Sequence, residues 1–197
     1  MRQLGKVMVD ADVCINLARY QKINALRLVL RNIAQEVYMH EYIIHTELLS
    51  SGCASEISRM VEEKIIRPLS PDKDLSDADL QNYHATCLLL ADAMGLILSE
   101  GRCKHKGEVV SVAMAKTLGI HIFMSNERAL QREIDECINI GIDDIRVYRM
   151  CDIILWIKEN PECGLSRKDA KIIWIGSFDK IKMEHYKNEF DHSLWPL

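Results

Sequence analysis

An α/β fold, with a parallel sheet covered by helices on both faces and followed by a helical extension, is what this 197-residue chain predicts. Three observations carry that expectation. Short apolar runs alternate with stretches of helical periodicity up to about residue 150, the pattern of strand–helix–strand units. Beyond that point only helical patterns remain, with Pro161 and Gly164 marking a break. The composition, 48% hydrophobic and 27% charged, is that of a globular chain with a good core. Residues 1–150 are therefore expected to form one domain, and residues 151–197 an extension packed on it. A tail of ~45 residues rarely buries enough surface to fold alone.

The elements follow in order. Val7–Val9 reads as a buried strand, and Val13–Tyr20 as a helix entered straight after two aspartates. Ile23–Ile33 places Leu26, Val29, Leu30 and Ile33 on one helical face. Glu36–Met39 reads as a strand, His40–Ser51 as a helix stopped by Gly52, and Lys64–Leu69 as an edge strand before Pro71. Ser76 and Asp79 resemble a capping box opening a long helix towards Leu98. Glu100–Lys106 reads as a loop, and Gly107-Glu108 starts a helix that ends near Gly119. Ile120–Met124 and Ile145–Tyr148 read as strands flanking a helix over Glu127–Asn139. The extension holds helical patterns at Asp152–Glu159, Arg167–Ile175 and Asp179–Glu189.

A formal net charge of -4 rules out a global basic field, so any nucleic-acid contact must come from local patches. The seven cysteines are scattered without a CxxC pair, which argues for reduced thiols. The N-terminus lacks the apolar core of a signal peptide, and no apolar run approaches the ~20 residues of a membrane span. A soluble, cytoplasmic protein with no membrane partner is expected.

Three acids stand out. Asp10 ends the first apolar run, where α/β folds place their ligands. Glu47 shares a helical face with Ile43 and Ile44, and Glu108 lies on a stripe with Val112 and Ala115. Burying three carboxylates is costly unless a cation neutralises them. A divalent metal is the economical answer, and it points to chemistry on a phosphate ester. Asp12 reads equally as a helix cap, and Ser125-Asn126-Glu127 again follows a strand.

In this order the segments VMVDADVCINL, HTELLSS, KGEVVSVAMAKTLGI and IFMSNERAL resemble those of the PIN-domain ribonucleases over roughly residues 5–150. The resemblance implies a three-layer α/β/α sandwich and Mg²⁺- or Mn²⁺-dependent hydrolysis of RNA phosphodiesters. It implies Asp10, Glu47 and Glu108 as metal ligands, Glu127 as a further catalytic acid, and Asp12, Ser125 and Asn126 as accessory residues. Where many members carry Asp after the Ser or Thr, this chain has Asn126. Either Glu127 takes over the fourth acidic role or the site is one carboxylate short. Lys104, Lys106 and Arg128, with Arg102, are the basic residues placed to hold the RNA backbone. A homodimer and a protein inhibitor of antitoxin type are further partners the resemblance implies.

Two other readings fit some of the same residues. Asp10-x-Asp12 also resembles the haloacid-dehalogenase phosphatases, with Ser125-Asn126 binding phosphate and Asp143 or Asp144 holding Mg²⁺. A PIN-like module that binds RNA or protein without cutting is the non-enzymatic alternative. His40 and His45 are one residue too far apart for the zinc-protease motif, and His84, Cys87, Cys103 and His105 lack zinc-finger spacing. Glycine motifs for nucleotide phosphates are absent.

Overall fold

A computed structural model describes residues 3–19, 24–98, 104–141, 143–178 and 180–196. Its sheet has five parallel strands: β1 (Leu4–Val9), β2 (Ala34–His40), β3 (Ile66–Leu69), β4 (Ile122–Met124) and β5 (Arg146–Tyr148), in the order β3-β2-β1-β4-β5. The central strand is β1, where Val7 pairs with Val37 on one side and Ile122 on the other. Val7, Met8 and Val9 are all inaccessible to solvent, as a strand covered on both faces requires.

Alternation along β1 separates two cores. Val7 and Val9 point into a cluster built by α1 (Ala11–Ala18), α2 (Ala25–Ile33) and α3 (Ala54–Glu62). Met8 points the other way, with Tyr38 and Phe123, against α5 (Asp77–Ala93), α6 (Lys106–Thr117) and α7 (Leu130–Cys137), which follow the short α4 (Pro71–Asp74). The result is a three-layer α/β/α sandwich.

Three later helices, α8 (Met150–Glu159), α9 (Arg167–Gly176) and α10 (Met183–Glu189), follow β5. Ile153 and Ile157 of α8, Ile173 and Trp174 of α9, and Phe190 just after α10 join the cluster that holds Leu17 and Leu30. Each such side chain contributes about 1.5–3 kcal/mol by burial, so these helices are built into one face of the sandwich. Among the described residues no helix is long and apolar enough to cross a membrane. Cys14, Cys53, Cys87, Cys137, Cys151 and Cys163 are free thiols.

Four elements differ from the sequence reading. The segment expected as a helix over His40–Ser51 is a π-helical turn over Ile43–Glu47, closed by Leu48 N donating to Ile43 O at 2.9 Å. Helix α3 follows it although Cys53 offers no capping side-chain bond, which removes the usual start signal. The capped helix α5 ends at Ala93, where Gly95 takes a left-handed backbone, and does not reach Leu98. Helix α7 starts at Leu130, because Ser125–Ala129 are spent on a loop of side-chain bonds. The expected boundaries at Tyr20, Ile23, Glu100 and Asp179 lie outside the described residues.

Candidate metal centre

The parallel order reverses between β1 and β4, and the carboxyl ends of these two strands place Asp10 and Ser125 side by side. Asp10 N donates to Met124 O at 3.0 Å, and Ser125 N to Tyr148 O at 3.2 Å, extending the ladder past both strands. Asp10 sits at the N-cap position of α1 yet makes no capping side-chain bond. The residue is 2% exposed. Oδ2 accepts from Ser125 Oγ at 3.3 Å, while Oδ1 is enclosed without a partner.

Asp12, on the first turn of α1, accepts the Asn126 N–H on Oδ2 at 2.8 Å, and its Oδ1 is likewise buried and unpartnered. Ser125 Oγ also accepts the Glu127 N–H at 3.2 Å, so one hydroxyl ties Asp10 to the Glu127 backbone.

Glu47 reaches the site from the π-helical turn. The Gly107 N–H, at the start of α6, bonds its carboxylate. A Cβ at Gly107 would lie 2.6 Å from Ile43 Cδ1 and 2.7 Å from Glu47 Cδ, so only glycine admits this approach. One residue on, Glu108 Oε1 lies 3.1 Å from His105 Nδ1, and Glu127 Oε2 lies 3.9 Å from the same nitrogen. Ligand atoms of His105, Glu108 and Glu127 all fall within 4.8 Å of one another. His105 adopts a left-handed backbone, φ 65°, at the N-cap of α6, a strained state for a non-glycine residue.

The acids share one field. Burial, then repulsion from Asp12, Glu108 and Glu47, pushes the Asp10 carboxyl well above the ordinary range. Burial pushes Asp12 up to about 6; the Asn126 N–H opposes this, while Glu108 and Glu127 add to it. Burial pushes Glu47 up to about 7, with Glu108 and Asp12 adding to the rise. Buried carboxyls in such a field are neutralised either by protons, as their raised pKa values express, or by a cation placed among them. The donor set is oxygen-rich with one imidazole, which suits Mg²⁺ and, with His105, Mn²⁺.

Asn126 proves to be a structural tie. Its Oδ1 accepts the Met150 N–H at 3.0 Å, securing the start of α8, while its backbone N–H holds Asp12. The acid facing His105 is its neighbour Glu127. Lys106 Nζ lies 5.5 Å from the centre of the Tyr42 ring and donates to Leu98 O at 3.4 Å. Lys104 and Arg128 are exposed, and Arg102 lies outside the described residues. Asp143 and Asp144 are exposed and precede β5, so they sit at the opposite end of the sheet from Asp10. Reasoning from the sequence missed His105 as a neighbour of these acids; its signal is a histidine three residues before Glu108 at a helix start. No family model, curated protein or solved structure matches the chain.

Proposed function

We propose that the protein is a Mg²⁺- or Mn²⁺-dependent endoribonuclease, the activity implied by the PIN-domain resemblance. The carrying observation is that Asp10 Oδ1 and Asp12 Oδ1 are buried without hydrogen-bond partners beside Glu47, Glu108 and Glu127. In this reading Asp10, Glu47 and Glu108 hold the metal, with Glu127 and His105 completing the shell and Asp12 acting from its edge. A divalent ion bound there supplies an acidified water and stabilises charge on the phosphate and the leaving oxygen.

The protein's share is orientation. Ser125 fixes Asp10 and the Glu127 backbone together, the Asn126 N–H fixes Asp12, and Gly107 lets Glu47 close on α6. Without a cation this acidic cluster has no attraction for a phosphodiester, so RNA affinity at the centre depends on the bound ion. A protein inhibitor would act by covering this acidic end of the sheet. The phosphatase reading loses support because Asp143 and Asp144 lie at the sheet's other end.

The test is cleavage of a structured RNA pool with Mn²⁺ by wild type and Asp10→Asn, beside a phosphomonoester assay. Metal-dependent RNA cleavage by wild type alone is the expected result. Phosphomonoester turnover without RNA cleavage would overturn the reading.

A further inference from the structure

Beside the acidic centre, a cleft of about 370 Å³ opens between the end of β4, the start of α8 and the helices α9 and α10. Four of its lining residues are basic: Arg128, Arg149, Lys182 and His185. In a chain of net charge -4, such a gathering is not a bulk property. Among the described residues Arg128, Arg149 and Lys182 form no salt bridge, and His185 lies 4.0 Å from Glu189, the one acid that lines the cleft with them. Arg149 Nε is enclosed without a hydrogen-bond partner, so the guanidinium charge beside the cleft is not spent on a protein acceptor at that atom.

The same cleft has an aromatic wall. Phe178 and Tyr186 stack with centroids 4.0 Å apart and planes 15° from parallel, and both remain partly exposed. Trp174 braces the stack edge-on, 4.7 Å from Phe178, and its Nε1 donates to Tyr186 O at 3.1 Å. Cations beside exposed aromatic rings are what proteins use to hold unpaired nucleotides, phosphates on the charges and bases on the rings.

The cleft joins the acidic centre through Asn126, which lines it while holding Asp12, and through Arg128, which follows Glu127. We infer that this cleft is the track for single-stranded RNA leaving the scissile site, and that the C-terminal helices exist in part to build it. The inference rests on the ribonuclease reading for its ligand, but its geometry is independent of cleavage.

Fluorescence anisotropy tests it, with a short labelled single-stranded RNA, Ca²⁺ as the divalent ion, and full-length wild type against the double variant Arg128→Ala, Lys182→Ala. Both side chains are exposed, so the fold is spared. Affinity should fall roughly tenfold or more, and the slope of log K against log salt should shrink by about 1.4 for two lost phosphate contacts. That result supports the track even if wild type never cleaves. Equal affinity of variant and wild type overturns the track, even if Asp10→Asn abolishes cleavage and the nuclease reading stands. No RNA binding by wild type, or duplex bound as tightly as single strand, overturns it as well.

Discussion

Replacing Asp10 with Asn should stabilise the metal-free protein while abolishing its response to metal. The wild-type residue is 2% exposed, has a carboxylate oxygen without a partner, and feels Asp12, Glu108 and Glu47. Asparagine keeps the shape and retains an acceptor for Ser125 Oγ, but removes the charge. Relief of desolvation and repulsion is worth about 1–3 kcal/mol, the usual scale for a buried unsatisfied group. For a domain of this size that raises Tm by roughly 2–12 °C. Metal reverses the order, since a ligand at a thousandfold its Kd adds about 4.1 kcal/mol to whichever protein binds it. Thermal melts at pH 8 in chelator and in Mn²⁺ make the comparison. Expected is a variant that melts higher in chelator and is left behind by wild type in Mn²⁺. A variant that melts lower in chelator and gains as much from Mn²⁺ would refute the reasoning.

Three other outcomes follow from the same geometry. Glu47, pushed up to about 7, and Asp12, pushed up to about 6, bind more protons when folded than when unfolded. Their contribution to metal-free stability is therefore fully present below about pH 4 and is lost as pH rises through about 6 to 7. With Glu47 discounted for its partial exposure, the loss from these two groups is about 3–5 kcal/mol; denaturant melts from about pH 4.5 to 7 that show stability rising would contradict it. Gly107→Ala drives a methyl against the ends of the Glu47 and Ile43 side chains, which must swing away, so Mn²⁺ affinity by calorimetry should drop about tenfold or more while stability changes by less than about 1 kcal/mol. Asn126→Ala removes the acceptor for the Met150 N–H; urea melts should show a loss of about 0.5–2 kcal/mol, and an unchanged midpoint would argue against the tie.

The legible parts were those written in local pattern. Three consecutive apolar residues before Asp10 marked a strand buried on both faces, and Leu26, Val29, Leu30 and Ile33 marked the face that α2 buries. Acids at strand ends and helix starts followed from the same alternation. What escaped depended on backbone detail or on distant partners. A five-residue π-helical turn carries Glu47, and period counting at helical spacing cannot distinguish it. His105 joins the acids through a left-handed backbone that its sequence does not advertise. Asn126 read as a missing acid because its partner, Met150 N, lies 24 residues away. The cleft along α8–α10 needed the tertiary fold, since Arg128, Arg149, Lys182 and the Phe178–Tyr186 stack share no sequence period.

The central claim is that the carboxylates are gathered for a divalent cation, and calorimetric titration of Mn²⁺ into the metal-free protein tests it most directly. Saturable binding in wild type that is lost in Asp10→Asn and weakened in His105→Ala is the result the account predicts. Wild type and Asp10→Asn binding Mn²⁺ alike, or neither binding it, would contradict the account.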